Sequence, residues 1–282
     1  MINLSVMAGS KAGTVPLKVS KFPCGESNIS VDFSKTPLTI VYDQVNISLN
    51  FKGNSDLIDL LLVVDAVKRT EVVYKSLVLL VTYFPYGRQD RVCNNGEPHS
   101  LRVVCDLINS CSFDRVFVID PHSDVIGGLI NNVRIVDQTE VFLGSKTKLI
   151  SSQDYLVSPD AGAYKKVSKT ARELQKEVVR ADKIRDTKTG EITSTEVYAQ
   201  DLTSKSVLIL DDIADGGRSF TELAKKLREK GAQKITLYVT HGMFTKGVKS
   251  LLEHVDEIWC YEYNGTQDEA GLVNIVEFMG GD

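Results

Sequence analysis

The sequence predicts an α/β protein of two halves, each a mainly parallel sheet flanked by helices. Three observations predict it. The chain has 282 residues, enough for two domains at roughly 150 residues each. Short continuous apolar runs recur along it, as in strands buried on both faces of a parallel sheet. Segments with apolar residues at helical spacing separate those runs, and this alternation defines α/β architecture.

In chain order, residues 56–69 place Leu57, Leu60, Leu61, Val64 and Val67 on one helix face. Residues 77–81 (LVLLV) form the first clear buried strand. A second helix covers 100–111, through Leu101, Val104, Leu107 and Ile108. Strands follow at 116–120, 155–158, 207–211 and 235–240. The helix at 219–230 opens with Ser219 and has Glu222 three residues on, a capping box, and it stops at Gly231. The halves read as residues 1–140 and 141–282, joined near 137–150 with no Pro-rich or low-complexity linker. In such sheets ligands gather at the carboxyl ends of the strands.

Composition narrows the function. Apolar residues at 43% and charged residues at 25% are ordinary for a globular chain, so disorder is excluded. With 33 basic against 37 acidic side chains there is no global basic field for nucleic acid. The longest apolar stretches, around 57–67 and 77–81, are too short or too interrupted by aspartate to span a bilayer. The first residues carry no basic-then-apolar leader. Five cysteines (Cys24, Cys93, Cys105, Cys111, Cys260) form no C-x-x-C pair and read as reduced thiols of a cytoplasmic protein.

Five segments carry chemistry. Residues 207–220 (VLILDDIADGGRSF) run from a buried strand into the paired carboxylates Asp211 and Asp212, then through a glycine turn into a helix. Backbone N–H groups at such a helix start favour phosphate, and acidic side chains before it accept hydrogen bonds from sugar hydroxyls. A plain turn with a capping serine fits the same letters. Residues 83–91 (YFPYGRQDR) set aromatics, two arginines, Gln89 and Asp90 after a strand, which suits a nucleotide and equally suits a solvated charged loop. Asp120-Pro121-His122 and Ser158-Pro159-Asp160 end two further strands, where a His and a carboxylate together suit Mg²⁺ on a polyphosphate. A basic stretch (Lys165, Lys166, Lys169, Arg172, Lys176, Arg180, Lys183, Arg185) leads into a turn at 186–190 that reads as mobile, and a solvated helix face fits most of it.

Together these segments resemble one family, the ribose-phosphate diphosphokinases or phosphoribosyl-pyrophosphate synthetases, from about Phe22 to Phe244. The likeness rests on Phe22-Pro23-Cys24-Gly25-Glu26, residues 85–91 (PYGRQDR), Asp120-Pro121-His122-Ser123, residues 157–162 (VSPDAG), Lys183-Ile184-Arg185 and residues 240–244 (THGMF). The resemblance implies two phosphoribosyltransferase-like domains. It also implies transfer of the ATP β,γ-diphosphoryl group to the anomeric hydroxyl of ribose 5-phosphate, a precursor step for nucleotide and NAD synthesis. Arg88, Gln89 and Asp90 would then hold ATP, and Phe22 and Glu26 would reach adenine across a subunit interface of a homo-oligomer. His122, also at the ATP, and Asp160 would serve Mg²⁺. Asp211 and Asp212 would bind ribose hydroxyls, and Asp215, Gly216, Gly217, Arg218 and Ser219 the 5-phosphate. Lys183 and Arg185 would close over the β-phosphate.

The sequence also departs from that family. Gly216 replaces a threonine and Arg218 a glycine in the phosphate loop, and Cys24 replaces an Asp or Asn. The N-terminus reads as irregular before Lys21. Three readings stand at this point: synthesis of phosphoribosyl pyrophosphate, the same transfer to ADP-ribose through room beside Gly216, and a non-catalytic regulatory member.

Overall fold

Alternating residues Ile2, Leu4 and Val6 turn inward from β1 (Ile2–Ala8), the period-two pattern of a strand with one buried face. The computed structural model describes residues 1–37, 40–145, 149, 152–185 and 192–277, with backbone alone at 184–185 and 192–194. It divides into two units, Met1–Val136 and Asp137–Asp282. The 186–190 turn lies outside the described residues.

In the first unit β1 pairs antiparallel with β2 (Lys11–Val15) on one side and β5 (Tyr42–Leu49) on the other. The N-terminus is therefore regular, contrary to the sequence reading, because residues 1–15 form a hairpin whose apolar face joins the core. β3 (Leu17–Lys21) and β4 (Ser27–Val31) form a separate two-stranded hairpin. β6 (Tyr74–Val81), β7 (Arg115–Ile119) and β8 (Val133–Val136) extend the sheet in parallel, giving the order β2-β1-β5-β6-β7-β8. Helices α1 (Ser55–Lys68), α2 (Ser100–Ser110) and α3 (Ile126–Leu129) connect these strands. On α1 the buried apolar residues are Leu57, Leu60, Val63, Val64 and Val67, so Val63 takes the core place assigned to Leu61.

The second unit opens with α4 (Gln138–Gly144), capped by Asp137, whose side chain accepts from the Glu140 N–H. β9 (Tyr155–Ser158), α5 (Tyr164–Leu174), β10 (Glu177–Arg185) and β11 (Ile192–Val197) follow, then β12 (Ser206–Ala214), α6 (Arg218–Glu229), β13 (Lys234–Gly242), α7 (Lys249–Leu252), β14 (Glu257–Tyr263) and β15 (Asn274–Ile275). The sheet order is β11-β10-β9-β12-β13-β14-β15, parallel except for the β10–β11 pair. β12 is buried on both faces. Val207 and Ile209 join one core with Ala181 and Val239, while Leu208 and Leu210 join another with Val167 and Tyr238. No helix among the described residues is long and apolar enough to cross a membrane.

Candidate active site

In the first unit two loops leave the carboxyl ends of the neighbouring strands β6 and β7. The loop after β6 is rooted by buried Phe84 and turns at Tyr86, where the Gln89 N–H donates to the Tyr86 carbonyl at 2.9 Å. A Cβ at Gly87 would lie 3.3 Å from the Cβ of His122, so glycine is what lets the two loops approach. Asp90 ties them together, accepting from Ser123 Oγ at 2.7 Å and from Arg91 Nε at 2.7 Å. Those partners, Arg91 first, hold its carboxyl down at about 2. Gln89 is engaged as well: its side chain accepts from Ser100 Oγ at 2.5 Å and its carbonyl from the Leu101 N–H, which fixes the start of α2. Arg88 and His122 are exposed on this rim. Phe22 and Glu26 stand elsewhere, exposed at the tip of the β3–β4 hairpin, where the Phe22 N–H donates to the Glu26 carbonyl at 2.8 Å.

In the second unit the site is built at the ends of β9, β10 and β12. Because neighbours on a strand face opposite ways, Asp211 falls on the Ile209 side and Asp212 on the Leu210 side. Each carboxylate therefore has its own surroundings. Asp212 pairs with Lys166 of α5 at 3.7 Å. Lys166, read from sequence as part of a solvated face, is in fact turned to the strand end. Asp211 is half-buried at the strand end, and partial desolvation, with the negative charges of Asp212 and Asp160, pushes its carboxyl above the usual carboxylate range. Its backbone carbonyl accepts from Gln138 Nε2 at 2.5 Å. Burial raises the Asp160 carboxyl too, but the Lys183 ammonium at 2.7 Å and the backbone N–H groups of Ala163 and Gly162 outweigh it, and the net shift is downward. Lys183 thus rests on Asp160. Of Arg185 only the backbone in β10 is described.

The loop 215–219 follows β12. Gly217, at φ +77°, holds the cap position of α6, a conformation glycine takes without a Cβ penalty. The helix begins at Arg218, so the capping box read around Ser219 does not form: Ser219 lies inside the first turn, and Glu222 accepts from Lys225 at 3.0 Å. Among the described residues no protein acceptor takes the N–H groups of Gly216, Gly217, Arg218 and Ser219. Those groups, with the positive end of the helix dipole, are suited to phosphate. Arg218 is exposed beside them. The room expected beside Gly216 is bounded by a residue the sequence reading passed over, since a Cβ there would touch Lys246 Cδ at 3.7 Å. Asp215 is held from the same direction: Thr245 Oγ1 donates to its carboxylate at 2.7 Å.

Two parallel-sheet units, one with carboxylates at a strand end followed by an open glycine turn and a helix, define the phosphoribosyltransferase class of α/β domain. The family models divide the chain in the same way. The N-terminal domain of ribose phosphate pyrophosphokinase matches residues 4–111, and the phosphoribosyl transferase domain matches residues 145–265. The chain is 30% identical over 254 residues to ribose-phosphate pyrophosphokinase of Pyrococcus furiosus, covering 88% of this chain and 86% of that one. It is 30% identical over 214 residues to the ribose-phosphate pyrophosphokinase of Mycoplasmopsis pulmonis, covering 75% of this chain and 65% of the relative, just under two thirds of its length. The crystal structure of phosphoribosylpyrophosphate synthetase from Mycobacterium smegmatis matches with a TM-score of 0.73 at 26% identity, covering 88% of this chain and 80% of that one. The chain belongs to the ribose-phosphate pyrophosphokinase family.

Proposed function

We propose that this chain transfers the diphosphoryl group of ATP to the anomeric hydroxyl of ribose 5-phosphate, giving phosphoribosyl pyrophosphate and AMP. The observation that carries the reading is the run of open N–H groups from Gly216 to Ser219 placed directly after Asp211 and Asp212. A phosphorylated ribose uses both: phosphate oxygens accept from the N–H groups, and hydroxyls donate to the carboxylates. The family membership supports it. A bond forms between the anomeric oxygen and the β-phosphorus of ATP, the bond from that phosphorus to the α-phosphate oxygen breaks, and the hydroxyl proton is released. Arg88 and His122 serve the nucleotide from the first unit. Lys183, carried on Asp160, supplies positive charge to the transferring group. Such chemistry is mainly positioning and electrostatic stabilisation, so no strong base is needed.

Mg²⁺ belongs to this proposal. The described residues contain no group of three His, Cys, Asp or Glu side chains placed to hold an ion by themselves. The Asp160 carboxyl, held below its ordinary value and so ionised, is the hard oxygen donor Mg²⁺ takes, with substrate oxygens and water completing the shell. His122 in the first unit and Asp160 in the second would each serve Mg²⁺ ions, which would neutralise the phosphate charge. We also propose a homo-oligomer, because Phe22 is 52% exposed at a hairpin tip in the segment that resembles an adenine contact, and a cytoplasmic setting, which suits five unbridged thiols. The test is incubation with ATP, Mg²⁺ and ribose 5-phosphate while following AMP: release supports the reaction and its absence overturns it.

A second reading, transfer to ADP-ribose, is favoured by exposed Arg218 beside side-chain-free Gly216, since a guanidinium suits a second phosphate. Arg218→Gly compared on both acceptors decides it. Loss confined to ADP-ribose supports the larger acceptor, and equal rates throughout eliminate it.

A further inference from the structure

We infer that Lys246 is a positioning and specificity residue for the acceptor, its ammonium taking the 5-phosphoryl oxygens held by the loop 215–219. The inference rests on the reaction proposed above and adds a residue to its phosphate site. Three observations carry it. First, the lysine stem crosses the loop at its narrowest residue, with Cδ and Cε 3.7 and 3.8 Å from where a Gly216 Cβ would be. The lysine stem therefore lies along the loop in van der Waals reach of position 216. Second, the segment that carries Lys246 is fastened to the loop. The N–H groups of Met243 and Phe244 donate to the Ala214 carbonyl at 2.8 and 3.1 Å, and the Thr245 N–H donates to the Asp215 carbonyl at 3.1 Å. The turn closes with the Gly247 N–H on the Phe244 carbonyl at 2.8 Å. Behind it Glu269 accepts from the Val248 N–H at 2.6 Å. The backbone of Lys246 is therefore set by the fold even though its side chain is exposed.

Third, the ammonium is uncommitted. Among the described residues no carboxylate stands within ion-pair distance of it, and Asp215 in the loop accepts from Thr245. A lysine laid along an anion-binding loop on a fixed backbone, without an acidic partner, has phosphate as its natural counter-ion, as a point charge rather than a fork. The four N–H groups meet the phosphate from the helix side and Lys246 meets it from the β13 side.

The test uses the whole chain. With ATP saturating, Lys246→Ala should raise KM for ribose 5-phosphate about tenfold, the worth of one charge-assisted contact. KM for ATP should stay within twofold, and Lys246→Arg should recover most of the loss. An unchanged acceptor KM overturns the assignment. A wild-type chain that releases no AMP sinks the proposed reaction without touching Lys246. Inorganic phosphate should then still raise the wild-type melting temperature, and raise it less in Lys246→Ala. Equal shifts in the two proteins overturn the inference.

Discussion

At the carboxyl ends of its strands the first unit closes polar groups on one another, whereas the second leaves them open or crowded. Asp90 is satisfied by Arg91 and Ser123, and Gln89 by Ser100. In the second unit no acceptor among the described residues takes four backbone N–H groups, the Asp211 carboxyl is raised, and Lys183 pairs with Asp160. A rim whose groups are already paired is a rigid platform that meets a ligand with little rearrangement. A cluster of perturbed charges is where a ligand changes most, and such clusters mark chemistry. In the proposed reaction the first unit would hold the nucleotide and the second would carry the transfer.

The largest effect comes from removing divalent cations. Excess EDTA should bring AMP release to background, because dense phosphate charge must be neutralised before attack. Undiminished turnover would place all neutralisation on side chains and break the comparison.

Lys183→Ala should come next. Its turnover should fall by two to three decades, on the order of 3–4 kcal/mol, with little change in KM for ATP. If instead KM rises at constant turnover, Lys183 is a holding residue like those of the first unit, and the division of labour is wrong.

The pH response sharpens the contrast, since the two units should answer in opposite directions. Asp90 is lowered from 3.8 to about 2, so its contribution to stability is complete above 3.8 and is lost as pH falls through about 2. Asp211 is raised, so its contribution is complete below 3.8 and is lost as pH rises through its folded value. Carboxyl carbon shifts of labelled aspartate should show Asp90 titrating at about 2 and Asp211 above the ordinary aspartate range. Asp211→Asn should remove the upper transition and flatten the loss on the alkaline side. A normal titration for both groups would dissolve the contrast.

The smallest stability effect belongs to Phe22. Phe22→Ala should change stability little, within about 0.5 kcal/mol, because the ring is exposed. It should nevertheless raise KM for ATP, and sedimentation should show a dimer or larger species. An active monomer at assay concentration would mean that the first unit holds ATP by itself.

Legibility in the sequence followed locality. Strands such as 77–81 and 207–211 were readable because a continuous apolar run needs no partner to be recognised, and β6 and β12 contain them. The N-terminal hairpin was missed although Ile2, Leu4 and Val6 alternate, because its weak period is completed only by pairing with Val45 and Ile47 of β5. The glycine turn was readable, but the start of its helix was not: Ser219 and Glu222 spell a capping box that the backbone at Gly217 makes unnecessary. What was least legible were properties made by distant residues. The Asp211 carboxyl is raised by burial, by Asp212 and further by Asp160 from another strand end, and the approach of Lys246 to Gly216 spans a helix and a strand. Burial likewise separates five chemically equal cysteines: Cys260 is pushed up to about 12 while Cys24 and Cys93 are exposed.

The three amides that fasten residues 243–245 to the phosphate loop also form a natural clock for it. Met243, Phe244 and Thr245 can exchange their hydrogens with solvent only when their bonds to the Ala214 and Asp215 carbonyls open. Their exchange rates therefore read the opening free energy of the loop directly, with no label and no substitution. Slowing of those three amides on addition of ribose 5-phosphate would count, residue by residue, how firmly the acceptor locks the loop to the strand beside it.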